Sequence, residues 1–501
     1  MRNTSVRLKA AVGFVALGMV GCDGGGADQM GIESTTEALT TGQAFLVSFT
    51  GDAVPANADS LVAGAGGSIV ARYVTVGAVL ARSANPSFAS SLRAAPGVDS
   101  VGATKSVHSN LSLPGGRKVP HSSTTAHHGI GDPLAFRQWD MDQIRAPQAH
   151  AVSLGKKSVL VGLLDTGIES THPDMVGQVK AAASVSCVVG VPNTAITEWG
   201  NDAFGHGTHV AGIVAAAKNG VGVVGVAPGV SVAPIKVVDD NGSILPEAFV
   251  CAMDWAASHG FDVLNASFTV DPFFFYCSDD PDQLAIIKTV RRAVLSAARK
   301  KVTLVAAVGN AFLDLSSLRS PTGGKCKVLP VQLPGVIGVS SVGFTKRLAW
   351  YSDYGAGAVD LTAPGGDSLI PDSAVTDRAS SGQVLSCIPA NSVFYAGAAD
   401  YDGQVQDCSS GTCSTYAYLQ GTSQAAPHVA GVAALAISRF GKMSPEGVLA
   451  VLGLTAKPLA CPPGAYDPNP TVFPSPAICV GPTLYNSFYG AGEVDALGVV
   501  R

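Results

Sequence analysis

The chain has 501 residues, 47% of them hydrophobic and 14% charged, with 58 glycines and a formal net charge of −5. That length and composition suit a compact, multi-domain α/β protein and exclude a disordered or coiled-coil chain. With so small a net charge and no run of Lys and Arg interleaved with aromatics, nucleic acid is excluded as a partner.

The first residues read as an export signal over 1–21. Arg2, Arg7 and Lys9 form a positive start, and Ala10 to Gly21 is an apolar stretch too short to span a bilayer. Met19-Val20-Gly21-Cys22 resembles a bacterial lipobox, although the usual Leu is replaced by Met19. This implies membrane attachment through a lipidated Cys22, with 22–42 as a tether. The alternative is plain secretion with a chance cysteine. Export suits the cysteines, ten in all. Cys251 lies in the helical pattern EAFVCAMDWAASHG and is expected as a buried free thiol. The remaining eight fall in loop-like stretches and can form up to four disulfides, of which Cys408–Cys413 and Cys461–Cys479 are the easiest to close.

Residues 43–108 read as a small domain of order β-α-β-β-α-β, the split βαβ (ferredoxin-like) α+β pattern. QAFLVSF is a strand, ANADSLVAGAG a helix, GSIVARYVTVGAVLARS two strands, NPSFASSLRAAPG a helix capped at Asn85 with Pro86 at its first position, and VDSVGATKSVH the last strand. Residues 109–137 are polar, punctuated by Gly and Pro, and read as an exposed processing linker. Its adjacent His127 and His128 are read as solvated rather than metal-binding.

From 138 to 501 the pattern becomes α/β. SVLVGLLD is a near-continuous apolar run, as in a parallel strand buried on both faces, and VSVAPIKVV, DVLNASF, VTLVAAVGN and VIGVSSV follow. HGTHVAGIVAAA, EAFVCAMDWAASHG and AIIKTVRRAVLSAARKK alternate with them as helices. The alternation predicts a doubly wound, mostly parallel sheet with helices on both faces and a functional site at the strands' C-terminal ends.

Four residues meet that expectation: Asp165 ending a strand in LLDTG, His206 opening a helix in GHGTHVAG, Asn310 closing a strand in VAAVGN, and Ser423 opening a helix in GTSQAAPHVAG. A serine needs an imidazole to take its proton, and the imidazole needs a carboxylate to hold its tautomer. The developing oxyanion needs fixed donors, here the Ser423 N–H and the Asn310 amide. Taken singly, Ser423 could merely cap a helix, and His209 and His428 read as structural neighbours. The order Asp, His, Ser is that of the subtilisin triad.

On LLDTGIESTHPD, GHGTHVAGIVAA, VVGVAP, VAAVGN, YSDYG with DLTAPG, and GTSQAAPHVAG, the chain resembles the subtilases, the subtilisin-like serine endopeptidases, over about residues 138–501. Residues 43–108 resemble that family's inhibitory propeptide. An α/β-hydrolase is disfavoured, since Ser423 lies outside any G-x-S-x-G. The resemblance implies Ser423 as nucleophile, His206 as general base and then acid, Asp165 as orienting carboxylate and Asn310 as oxyanion donor. It implies structural calcium at Asp174, the Asn219 side chain and the carbonyls of Ala217, Val221 and Val223; a turn held without metal is the alternative. Ser267, Phe268, Thr269 and Gly309 are implied at the substrate pocket. There the family's N-x-S-L-G-G is replaced by Asn265-Ala266-Ser267-Phe268-Thr269-Val270, and Thr269 is expected to narrow the pocket. DPFFFYCSDDPDQ could add an apolar subsite or be core, and 366–418 is a long Cys-rich connection. Gln424 stands where relatives carry methionine, and Pro427 is expected in the first turn of its helix.

The resulting expectation is a secreted or lipid-anchored, monomeric, self-processing serine endopeptidase. Its partners are polypeptide substrates and its own propeptide as intramolecular inhibitor. A dedicated processing protease with one target and a non-catalytic subtilase-fold scaffold are the alternatives.

Overall fold

A computed structural model of the chain describes residues 42–104, 131–371, 373, 382–390, 392, 403–409, 411, 413–473 and 475–501. The expected export signal, Cys22, nearly all of the tether, residues 105–108, most of the linker and the His127–His128 pair lie outside the described residues. Among the described residues, no helix is long and apolar enough to cross a membrane.

The N-terminal module follows the expected order: β1 (Gln43–Phe49), α1 (Ala58–Gly64), β2 (Gly67–Tyr73), β3 (Ala78–Ser83), α2 (Phe88–Arg93) and β4 (Val98–Thr104). Its four strands form one antiparallel sheet in the order β2-β3-β1-β4. One face of that sheet covers α1 and α2 around Phe45, Val47, Phe49, Phe88 and Leu92. The expected Asn85 cap is displaced: α2 begins two residues later, after Ser87, and the Asn85 side chain instead accepts from the Ser87 N–H, closing a turn before the helix.

The larger part begins with short helices α3 (Trp139–Gln143) and α4 (Ala146–His150), then β5 (Leu160–Asp165), β6 (Val185–Ser186), α5 (Ile196–Trp199), α6 (His206–Ala215), β7 (Ser231–Lys236), α7 (Pro246–Ser258) and β8 (Val263–Ala266). After these come β9 (Tyr276–Cys277), α8 (Pro281–Arg299), β10 (Thr303–Ala307), β11 (Cys326–Lys327), β12 (Val336–Val342) and β13 (Leu361–Pro364). Next are β14 (Val384–Cys387), β15 (Gln404–Asp407), β16 (Ser414–Leu419), α9 (Thr422–Phe440) and α10 (Pro445–Thr455). The last elements are β17 (Ala465–Tyr466), β18 (Ala477–Ile478) and α11 (Ala496–Val500).

Seven strands form a parallel sheet in the order β13-β12-β10-β8-β5-β7-β6. The chain leaves β5 toward β7 and then crosses to β8 on the other side, so the order reverses at the C-terminal end of β5, where Asp165 stands. Every residue of β5, β8 and β10 is buried, as their unbroken apolar runs require. One sheet face packs on α6 and α9. The other packs on α7 and α8, and this core also contains Leu46, Tyr73, Ala78 and Leu80 of the N-terminal module.

Four disulfides close: Cys187–Cys251, Cys277–Cys326, Cys408–Cys413 and Cys461–Cys479. Two match the easy pairings. The expectation of a free Cys251 is overturned, because it bonds Cys187, with Cα atoms 5.7 Å apart; among the described residues the free, buried thiol is Cys387 on β14. A helical apolar pattern shows which face of α7 is buried but not that a distant loop brings a cysteine to it. The Cys-rich connection contains the antiparallel sheet β14-β16-β15. Pro427 lies beyond the first turn, as the sixth residue of α9, which Gly421 precedes.

Candidate active site

Asp165 is placed by the last residue of β5 and His206 by the first turn of α6. The His206 Nδ1–H donates to Asp165 Oδ1 at 2.7 Å, with both side chains buried. The two elements approach because Gly207 has no side chain: a Cβ there would lie 2.1 Å from the Gly167 carbonyl. Asp202, which the sequence reading missed, ties the corner together. Its carboxylate accepts from Thr166 Oγ1 (2.6 Å), Gly205 N (2.8 Å), Thr208 N (2.8 Å) and Thr208 Oγ1 (2.6 Å), while Thr166 Oγ1 accepts from Gly207 N (2.8 Å). The only signal for it was an acid four residues before His206. Burial pushes the His206 imidazole down, but the charge and hydrogen bond of Asp165, helped by Asp202, outweigh it, and the net pKa is raised above its ordinary value.

His206 Nε2 has no hydrogen-bond partner among the described residues. Ser423 Oγ donates to the Ser267 carbonyl at 2.9 Å, so the expected serine–imidazole hydrogen bond is not made in this conformation. Such bonds are often long in unliganded sites and close only with substrate. Ser267 answers with Oγ donating to the Ser423 carbonyl at 2.8 Å, and Asn265 Nδ2 donates to the same Oγ. That carbonyl is available because Pro427, four residues on, has no N–H to give it.

Asn310 follows β10. Its Oδ1 accepts from Thr422 N and Thr422 Oγ1, each at 2.9 Å, which fixes the amide and leaves its nitrogen to donate. Asp353 braces the same loop, accepting from Ala311 N and Leu313 N, and burial pushes its carboxyl up to about 7. A Cβ on Gly309 would lie 2.2 Å from Asp353 Oδ2. Ser267, Phe268, Thr269 and Gly309 line, with Asn310 and Ser423, a cleft of about 400 Å³. Phe274 of the aromatic insertion also lines it, while Phe273 and Phe275 pack against the core, so both readings of that segment apply in part.

The two other histidines stay structural, as expected. His209 Nε2 donates to Ala417 O at 3.0 Å, and burial pushes its pKa down to about 3. His428 faces acceptors with both ring nitrogens: the Gln424 carbonyl at 2.8 Å and Asp140 Oδ2 at 3.0 Å, tying α9 to α3. Gln424 is fully buried and neither polar atom of its amide finds a partner among the described residues.

The residues expected to hold calcium adjoin. Val223 N donates to Asp174 Oδ2, Ala217 N to Asp174 O, and Val221 N to Asn219 Oδ1. Among the described residues, Asp174 Oδ1 is buried without a hydrogen-bond partner. The surroundings are mixed, however, with the Cys387 thiol 3.9 Å from Asp174 Oδ2 and His172 close by.

Residues 156–492 match the family model described as the Subtilase family. The chain belongs to the subtilase family. Among characterised subtilases, fervidolysin of Fervidobacterium pennivorans is 31% identical over 348 residues, 68% of this chain and 43% of that protein. M-protease of Shouchella clausii and Subtilisin Savinase of Lederbergia lenta are each 33% identical over 297 residues, 59% of this chain and 58% and 82% of those proteins. The chain thus spans about half the length of the first two. Among solved structures, a lanthipeptide protease aligns at TM-score 0.53 and 26% identity, covering 73% of this chain and 92% of that one. The epidermin leader peptide processing protease of Staphylococcus aureus aligns at TM-score 0.65 over 92% of this chain and 98% of that one; at 20% identity it speaks for the fold alone.

Proposed function

We propose that this subtilase is a serine endopeptidase made as a self-processing precursor. The observation that carries the reading is the buried His206 imidazole, held by Asp165 through Nδ1 while Nε2 has no partner among the described residues. In that tautomer Nε2 is the basic nitrogen. It takes the Ser423 proton as Oγ attacks a peptide carbonyl, and Asp165 stabilises the imidazolium that results. The Ser423 N–H, in the first turn of α9 where helical donors lack intrahelical partners, and the Asn310 amide receive the negative oxygen. His206 then gives its proton to the leaving amine, and water releases the acyl group by the reverse route.

Residues 43–108 are proposed as the inhibitory propeptide. In support, Arg292 of α8 donates to the carbonyls of Val76, Phe49 and Gly51, Asp254 of α7 accepts from Thr75 N and Oγ1, and Asp282 pairs with Arg93. Tyr73 and Leu80 sit in the same core as α7 and α8. Cleavage within about 109–137 would release the module. Export, with tethering at Cys22 and a monomeric product, completes the proposal. Calcium is proposed at Asp174, Asn219 and the carbonyls of Ala217, Val221 and Val223; the unpartnered Asp174 Oδ1 supports it, and its role is structural.

A fluorophosphonate probe tests the core of the reading, because it labels only an activated serine. Wild type should be labelled, Ser423→Ala and His206→Ala should not, and Ser423→Ala should accumulate as full-length precursor. Maturation of that variant at the normal rate would sink the assignment.

A further inference from the structure

The cleft beside Ser423 contains one charged side chain among its lining residues, Asp271. The lining also includes the apolar Ile244, Phe268, Pro272 and Phe274. The carboxylate is held firmly. Asp271 Oδ2 accepts from Ile244 N at 2.8 Å, Asp271 N donates back to Ile244 O at 2.9 Å, and the Asp271 carbonyl accepts from Tyr276 Oη. The residue is 9% exposed and lines the cleft wall, so it has little water around it.

We propose that Asp271 makes this cleft select polypeptides that place a lysine or arginine side chain in the pocket formed with Ile244, Phe268 and Phe274. The inference rests on the peptidase reading above and names the substrate class it serves. A lysine or arginine stem is apolar and packs on aliphatic and aromatic walls, while its head carries the charge that a fixed carboxylate attracts. In poorly hydrated surroundings that attraction is several times stronger than in water. An acidic side chain in the same pocket meets a like charge, so discrimination works in both directions.

The test uses fluorogenic peptides that differ only by lysine, norleucine or glutamate at each of four positions before the cleaved bond. For wild type, kcat/KM at one position should favour lysine over norleucine by roughly tenfold or more and disfavour glutamate. Asp271→Asn keeps an oxygen for the Ile244 N–H, and in it the lysine-to-norleucine ratio should fall to about one. Equal use of lysine and norleucine by wild type at all four positions overturns the proposal, whether or not the variant folds. A ratio preserved in Asp271→Asn overturns it too. Wild type that cuts neutral peptides without charge preference leaves the peptidase reading standing. Wild type that neither cuts nor takes up fluorophosphonate removes both.

Discussion

Gln424 is the residue whose replacement tests the structure most sharply. It follows the proposed nucleophile, is fully buried, and among the described residues has no partner for either its amide nitrogen or its amide oxygen. Leaving a buried polar group unbonded costs about 1–3 kcal/mol. Methionine has nearly the same length and removes both groups, so Gln424→Met should stabilise the fold by about 1–3 kcal/mol. For a chain of this size, each kcal/mol corresponds to roughly 2 °C at most, so the melting temperature should rise by up to about 6 °C. The comparison belongs in a Ser423→Ala background, where autolysis does not intrude, by scanning calorimetry checked with urea unfolding. An unchanged or lower melting temperature would refute the reasoning, because the amide would then have partners in solution. The same substitution should carry a liability. Peroxide is small enough to enter the cleft, and where it reaches a methionine beside Ser423 it converts it to the sulfoxide and puts a polar group there. Active wild type should therefore keep its activity in peroxide while Gln424→Met loses it, and equal sensitivity of the two would refute that second expectation.

Other outcomes follow from the site. Asn310→Ala should lower kcat by about 10²–10³, the range known for removing this kind of donor from a subtilisin site, with a smaller change in KM; an unchanged kcat would remove Asn310 from the oxyanion site. His206 must be neutral to act as base and its pKa is raised, so the acid limb of kcat/KM should have its midpoint above about 6.5. A midpoint at or below that value would contradict the Asp165–His206 geometry. Calcium withdrawal by EGTA should lower the melting temperature of Ser423→Ala and added calcium restore it; no response would dismiss calcium at Asp174. Under denaturing, non-reducing conditions, a chain beginning after Cys22 should show one titratable thiol, that of Cys387. Two additional thiols, at Cys187 and Cys251, would contradict their bridge.

What could be read in the sequence was what neighbouring residues decide together. The apolar runs of β5, β8 and β10 have no polar alternation because both faces of each strand are covered, and they announced a parallel sheet directly. Asp165, His206, Asn310 and Ser423 were legible because each sits in a distinctive short segment at an element boundary. What escaped depends on residues far apart in the chain. Cys251 looked like a helix-core thiol until the loop carrying Cys187 was laid over α7. The β14-β16-β15 sheet forms from a Cys-rich stretch with no long periodic run. Asp202 shows no pattern of its own, since its importance comes from joining Thr166 of one segment to Gly205 and Thr208 of another. Pro427 was placed a turn too early, and with it the carbonyl it frees and the hydroxyl that catches that carbonyl were missed.

That last contact has a mechanical consequence. Ser267 and Ser423 hold each other by two hydrogen bonds of opposite direction, one from each hydroxyl to the other's carbonyl. When Ser423 Oγ turns toward His206, the Ser267 Oγ bond to the Ser423 carbonyl can persist, so on the proposed reading the pocket wall and the backbone that carries Oγ stay coupled. A ligand that pushes the wall outward drags the nucleophile with it, and a ligand that fits leaves the nucleophile in register. Turnover in such an arrangement acts as a gauge of fit. Engineering the wall for new substrates, at Thr269 or Phe268, should accordingly register in kcat as much as in binding, and a hydroxyl at position 267 is the linkage that a designer would have to keep.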